Sequence, residues 1–255
     1  MKAIKFTLSG TAAFFKKPEF NSYYYFTYGQ IHRVALLGMF GAMLGLGGYN
    51  QQHDSKSEYP EFYLELNDIK VAIVPRSEKG YFAKKVQTFN NSTGFASFEA
   101  GGNLIVKEQW LEHPSWDIYV LLDGNKWSEK IAQALSRKES VYTLYLGKND
   151  HLANISDSEI VNLSKPIEVS MEVVSLCHKK DVRTVKEPRG PIIKTKSEIK
   201  TFWQYEEDLP NGLTLQTNHY ELDRFLLTNA KVEIITNNES FWQLEGSKGA
   251  VIQFI

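Results

Sequence analysis

Alternation of hydrophobic and polar residues marks several short stretches of this sequence and predicts strands there. The stretches are residues 2–8, 61–75, 116–122 and 141–146. Apolar residues that recur every three to four positions predict helices at 34–48 and 126–137. In the second helix these residues are Trp127, Ile131 and Leu135. The predicted order is therefore strand, helix, strand, strand, helix, strand.

This order predicts the α+β fold class, with a ferredoxin-like (RRM-like) βαββαβ domain at residues 1–165. Between the second and third strands lies a long polar, glycine-bearing segment with two β-like pieces, 83–89 and 103–107. The two pieces flank a Gly/Ser/Asn-rich tip, so we predict a projecting hairpin, and loops this long in compact domains are usually functional. Residues 166–255 consist of short β-like stretches, the first at 167–176, and are predicted to form a small β-rich C-terminal region.

The first predicted helix carries an unusual run of glycines. Gly38, Gly41, Gly45 and Gly48 recur on one helical face. The apolar run is 15 residues, shorter than the roughly 20 of a membrane span. Gly48 is not followed by the Lys-Ser/Thr pair of a phosphate-binding P-loop. We interpret the glycines as sites of close packing of the helix on the sheet; contact with a ligand backbone is the alternative.

Charge points to local rather than global attraction for nucleic acid. The 255-residue chain has a formal net charge of -1, but residues 76–107 hold five Lys/Arg against two Glu. Residues 178–200 hold eight Lys/Arg against three Asp/Glu. Such clusters neutralise phosphates, and nearby aromatic residues stack on unpaired bases. The alternative is that the lysines are simply solvated and the aromatic residues belong to the core.

Metal and redox chemistry find little support in the sequence. Its six histidines and single Cys177 show no metal-ligand spacing, and we expect no metal and no cofactor. Cys177 lies in an apolar stretch and is predicted to be inert core. We expect a cytoplasmic protein because no secretory-type N-terminus is evident. Lys16, Tyr24, Tyr28 and His32 are the residue types that a metal-free ribonuclease uses as acid, base and phosphate ligand.

Three sequence blocks resemble one known family. FFKKPEFNSYYYFTYGQIHRVALLGMFGAMLGLGGY resembles the N-terminus of the Cas-five family of CRISPR-associated proteins, in the RAMP superfamily. QTFNNSTGFASFEAGGNLIVKEQW with WDIYVLL, followed by VYTLYLGKNDHLANI, resembles its I-B-like branch. The resemblance covers residues 1–155 well and the remainder weakly.

The resemblance implies a non-catalytic RNA-binding subunit of a type I CRISPR Cascade complex in antiviral defence. Such a subunit caps the 5′ end of the crRNA by gripping its repeat-derived handle. The implied partners are the crRNA 5′ handle, the Cascade backbone subunit and the large subunit, with target DNA reached through the complex and no membrane.

The resemblance also places RNA contacts in two regions. The loop before the first helix and the start of that helix supply Lys16, Lys17, Asn21, Ser22, Tyr23, Tyr24, Tyr28, His32 and Arg33. The projecting hairpin corresponds to the family's thumb, a β-hairpin at about 76–110 here, and supplies Lys84, Lys85, Thr88, Asn90, Ser92 and Phe95. We expect the N-terminus of the glycine-bearing helix to face the phosphates.

Two alternatives remain. A branch of the family found in I-C systems processes pre-crRNA as a metal-independent endoribonuclease, for which Tyr24 and His32 are the candidate catalytic residues here. Residues 115–117 are Ser-Trp-Asp, however, without the Lys-His pair expected near the strand after the thumb. The other alternative is a protein-interaction module whose basic clusters bind acidic protein surfaces.

Overall fold

The computed structural model describes residues 1–20, 23–168, 170–185, 201–236, 238–247 and 249–255. Its α-helices are α1 (Arg33–Leu44), α2 (Tyr49–Ser55), α3 (Glu61–Leu66) and α4 (Lys126–Arg137), and 3-10 turns occur at Ala96–Phe98, Lys179–Asp181 and Asn238–Ser240. The strands are β1 (Lys2–Ser9), β2 (Ala12–Ala13), β3 (Tyr24–Tyr25), β4 (Val71–Pro75), β5 (Lys84–Asn90), β6 (Ile105–Glu112), β7 (Ser115–Leu122), β8 (Asn154–Ser164), β9 (Ser170–Met171), β10 (Cys177–His178), β11 (Val182–Thr184), β12 (Gln204–Leu213), β13 (Tyr220–Thr228), β14 (Val232–Ile234), β15 (Phe241–Leu244) and β16 (Val251–Gln253).

The main sheet has six strands in the order β16-β15-β8-β1-β7-β4. All of its strand pairs are antiparallel. Helix α1 follows β1 and precedes β4, and α4 lies between β7 and β8. The fold is therefore mixed α+β, as predicted.

Alternation along β1 fills two cores. Ile4, Phe6 and Leu8 are buried in the core that also contains residues of α1 and α4, whereas Ala3 belongs to a cluster on the other face. That second face is covered from the C-terminal part of the chain, which supplies Ile252 among others. The β12–β13 hairpin in turn packs buried side chains into the first core. The division into domains near residue 165 stays a prediction.

The predicted strand at 61–75 is half wrong. Residues 61–66 form helix α3, and a strand is present at 71–75. Pro60 is the N-cap residue and Glu61 lies in the first turn, where a carboxylate favours the positive end of the helix dipole. Leu64 is exposed while Phe62 and Leu66 are buried, so the burial follows a helical period and not alternation.

The predicted strands at 141–146 and 167–176 are also corrected. The N–H groups of Val141 and Tyr142 donate to the carbonyls of Met43 and Ala42 at the end of α1. The strand beside β1 is instead β8, and among the described residues of 167–176 the structure has the two-residue strand β9. Backbone donors that serve a helix end are not available to a sheet.

The glycine-bearing helix is shorter than predicted and packs against a different partner. It ends at Leu44, with Gly45 at the C-cap in the left-handed region (φ 79°), and Gly48 is the N-cap of α2. A Cβ added at Gly41 would overlap the Cβ of Phe62 in α3. The close approach is therefore to a helix and not to the sheet.

None of the helices in the described ranges has the length and apolar character that a membrane span requires.

Gly41→Ala should destabilise the fold by about 1–3 kcal/mol, because the added methyl meets the start of the Phe62 side chain, which cannot rotate away. Gly38→Ala is the matched control: its Cβ would lie 3.8 Å from the Phe62 ring and should be neutral or stabilising by up to about 1 kcal/mol. Urea unfolding of both variants measures the difference. Equal stabilities would contradict close helix–helix packing at Gly41.

Candidate nucleic-acid interface

The predicted thumb is a hairpin whose second strand is the centre of a small sheet. Strand β6 pairs antiparallel with β5, from Lys84 opposite Leu111 to Asn90 opposite Ile105. Its other edge pairs with β2 and, in parallel, with β3. The loop before α1 and the thumb, predicted separately as RNA contacts, therefore form one surface.

Register divides this sheet into two faces, because side chains of paired residues point to the same side. We call the side that is exposed over most of its length the outer face; it carries Lys84, Val86, Thr88 and Asn90 of β5, Lys107 and Gln109 of β6, and Tyr24 of β3. At the hairpin base the same side enters the core, where Leu111 opposite Lys84 is buried. The opposite side, the inner face, carries Lys85, Gln87, Phe89, Glu108 and Trp110.

The outer face combines cations, hydroxyls and aromatic rings. Tyr24, Lys107 and Thr88 lie side by side on three adjacent strands. The Tyr24 ring lies 4.6 Å from that of Phe26, which in turn contacts exposed Phe20 at 5.1 Å. A row of this kind offers a phosphate ligand beside a stacking platform.

The inner face fixes the hairpin to the body. The Lys148 ammonium lies 3.1 Å from the Glu108 carboxylate and over the rings of Phe89 and Trp110. Glu108 also accepts the indole N–H of Trp110 at 2.7 Å. Lys85 belongs to this side, with its ammonium 4.0 Å from Glu112 and over the Trp110 ring.

The tip of the hairpin holds the remaining predicted thumb residues. The side-chain oxygen of Asn90 accepts from the backbone and hydroxyl of Ser92, and the Ser92 hydroxyl oxygen accepts from Leu104 N–H. Asn90 and Ser92 therefore shape the turn itself. Phe95 is 94% exposed and Phe98 is 89% exposed.

Both lysines of the loop before α1 lie over tyrosine rings, and Lys17, which lies over Tyr28, also pairs with a carboxylate. The Lys16 ammonium lies 4.1 Å from the centroid of the Tyr25 ring. Lys17 pairs with Glu207 at 2.9 Å, and Tyr23 is 87% exposed. The predicted contacts Asn21 and Ser22 lie outside the described residues.

Tyr28 and His32 are buried among aromatic rings. His32 is 3% exposed, its Nδ1 accepts the Ala35 N–H as the N-cap of α1, and burial lowers its pKa to about 3. The rings of Phe15, Tyr28 and Tyr220 surround it. Burial raises the pKa of the Tyr28 phenol. These side chains pack the interior, and the expectation that the start of α1 faces phosphates is corrected.

Arg33 and Tyr24 complete the predicted set. The Arg33 guanidinium donates to the backbone carbonyls of Asn67, Ile69 and Asn211, so it joins α1 to the loop between α3 and β4 and to strand β12. Tyr24 lies on the outer face, whereas His32 is interior. The two candidate catalytic residues of the ribonuclease alternative thus have different environments.

The second basic cluster is described only to residue 185. Lys179, Lys180 and Arg183 pair with Glu206, Asp223 and Glu233. Residues 186–200 lie outside the described residues. Cys177 is buried as predicted, and burial raises the pKa of its thiol to about 12. In the described part of the chain no group of His, Cys, Asp and Glu is arranged to hold a metal ion.

Two residues of the interface were not singled out from the sequence. Lys107 was counted within the basic cluster, but its place beside Tyr24 follows only from the parallel pairing of β3 with β6. Glu207 is distant in sequence and reaches the loop from β12. No local sequence signal marks either residue.

Comparison with known proteins gives structural likenesses only. No family model and no curated protein matches the sequence. The chain is similar to a chain of a CRISPR RNA-guided surveillance complex, with 15% identity over 91% of both chains and a TM-score of 0.47. A CRISPR protein from Archaeoglobus fulgidus has 12% identity over 99% of this chain and 98% of its own, with a TM-score of 0.49.

A third likeness is to a chain of the type III-B Cmr-beta complex bound to cognate target RNA. It has 11% identity over 91% of this chain and 86% of its own, with a TM-score of 0.46. These neighbours are CRISPR-associated proteins, the group that the sequence resemblance names. At such identities and TM-scores, no residue's role is carried over to this chain.

The buried His32 makes stability pH-dependent in a defined direction. The folded-state pKa of His32, about 3, lies below the ordinary value of 6.5. The contribution of the neutral imidazole to the free energy of unfolding is therefore complete above pH 6.5 and is lost as the pH falls toward 3. Between pH 7 and pH 5 the loss should be about 2 kcal/mol. The variant His32→Asn keeps a capping oxygen but does not titrate. In urea unfolding, its free energy of unfolding should fall between pH 7 and pH 5 by about 2 kcal/mol less than that of the wild-type protein. The same pH dependence in both proteins would contradict a neutral buried imidazole.

Proposed function

We propose that this chain is an RNA-binding subunit of a type I CRISPR effector complex, related to the Cas-five family, that caps the 5′ handle of the crRNA. The observation that carries the proposal is the outer face, where Tyr24, Thr88 and Lys107 lie in one row and Lys84 lies nearer the hairpin base. Aromatic rings beside cations suit a single strand, since bases stack while ammonium groups neutralise phosphates. The choice of the 5′ handle rests on the sequence resemblance.

We also propose that the central unit is the ferredoxin-like βαββαβ arrangement. Support comes from the order β8-β1-β7-β4, with α1 and α4 in the two crossover connections. In this arrangement the thumb is an insertion between the second and third strands of the unit. Backbone and large subunits of the complex are the proposed protein partners.

Binding without cleavage is the activity we propose. General acid–base catalysis needs a group that exchanges protons near neutral pH and reaches the substrate. His32 is buried and neutral, and its Nδ1 already accepts a backbone hydrogen bond.

Lys107→Gln and Lys84→Gln should each weaken binding to single-stranded repeat RNA and reduce the slope of log K against log salt by about 0.7, the value for one phosphate contact on a single strand. Lys85→Gln is the matched control, because this neighbouring lysine lies on the inner face beside Glu112 and Trp110. Fluorescence anisotropy over a salt series measures all three.

An equal effect of Lys85→Gln would contradict the division into two faces. Unchanged binding in both outer-face variants would remove the hairpin from the proposal. Absence of protected RNA after purification, with binding to acidic protein surfaces instead, would favour the interaction-module alternative.

Labelled repeat RNA incubated with the pure protein in EDTA should remain intact, since the interior His32 cannot act as acid or base on a bound strand. Denaturing gel electrophoresis of a time course is the measurement. A single cut within the repeat, lost in both Tyr24→Phe and His32→Asn, would establish the endoribonuclease alternative.

A further inference from the structure

Three donors converge on the carboxylate of Glu207 in β12. The Lys17 ammonium lies 2.9 Å from Oε1, and the Gly29 N–H donates to Oε2 at 2.8 Å. The Tyr205 hydroxyl also donates to Oε2. The Glu207 side chain is 13% exposed and that of Lys17 is 23% exposed, so water screens this pair less than a surface ion pair.

The carboxylate lies at the base of the hairpin. Burial lowers the pKa of the Lys84 ammonium, the nearby Glu207 carboxylate opposes that shift, and Lys17 adds to it. Glu207, Lys17 and Lys84 are thus close enough to influence one another. Glu207 balances cations from two different parts of the proposed RNA interface, the loop before α1 and the thumb.

Neighbouring acidic residues of β12 behave differently. Glu206 pairs with Lys179, and Asp208 pairs with Arg224, which is well exposed. Alternation along the strand directs these two side chains away from the side occupied by Glu207. Glu207 is therefore placed to affect the loop and the hairpin base, while Glu206 offers a control on the same strand.

A carboxylate that accepts an ammonium and backbone and hydroxyl donors makes the contacts that a phosphate oxygen makes in anion sites. We infer that Glu207 occupies the place of a phosphate and withholds Lys17 from bound RNA, so that it sets the affinity of the interface for the strand. The inference rests on the proposed RNA-binding function. Because Lys17 is then not available to a phosphate, a strand binds tightly beside Glu207 only when several other contacts on the outer face hold it.

Glu207→Gln removes the negative charge and keeps the shape of the side chain. The carboxamide oxygen still accepts from Gly29 and Tyr205, while the ion pair with Lys17 is lost. Lys17 becomes available for a phosphate, so the salt slope for single-stranded repeat RNA should steepen by about 0.7. At 0.1 M salt this corresponds to binding about fivefold tighter. Glu206→Gln should change the affinity less than twofold.

Lys17→Gln provides a second test in the opposite direction. It leaves the Glu207 charge unbalanced beside Lys84, and RNA affinity should fall. Adding Glu207→Gln to that variant should restore affinity to about the wild-type level, the coupling that a double-mutant cycle measures. Thermal unfolding of each variant controls for loss of fold.

The outcomes separate the two proposals. If the wild-type protein binds no RNA, the proposed function fails. If the wild-type protein binds RNA but Glu207→Gln is unchanged or weaker, or if the double variant binds no better than Lys17→Gln, the phosphate-mimic role of Glu207 is wrong.

Discussion

Strand β6 is the constraint on which the candidate interface depends. Its backbone pairs with β5 along one edge and with β2 and β3 along the other. One register therefore holds the loop before α1 and both strands of the hairpin. Because paired side chains point to the same side of a sheet, Tyr24, Thr88 and Lys107 come together although they are far apart in the chain.

The same register places the lysines of the hairpin on two faces with different surroundings. Lys84 and Lys85 are consecutive in the sequence and point to opposite faces. On the inner face, Lys85 contacts Glu112 and Trp110 within the hairpin, whereas Lys148 contacts Glu108 and Trp110 and so attaches the hairpin to the body. On the outer face, Lys107 is exposed to solvent, where a phosphate is an available partner. The count of lysines in the thumb thus overstates the number directed toward one ligand.

Residues at the start of α1 show why residue type alone misleads. His32 and Arg33 have side chains suited to acid–base chemistry and phosphate binding, yet His32 caps the helix, and Arg33 donates to two carbonyls of one loop and to one carbonyl of β12. Buried polar groups must satisfy their hydrogen bonds, and the nearest orphan backbone groups are often at helix ends and in loops. His32 and Arg33 therefore lie at the start of α1 as hydrogen-bond partners of the backbone, although the sequence resemblance predicts RNA contacts there.

The sequence by itself determined the elements whose periodicity is local: α4, the strands β1 and β7, the hairpin and the α+β class. Local periodicity did not reveal that 61–66 would be helical, that residues 141–142 would cap α1, or that Glu207 would reach Lys17. The second and third of those outcomes depend on partners distant in the chain. Side-chain period reports which face of a segment is buried, whereas only the tertiary structure decides which backbone donors, carboxylates and rings meet there.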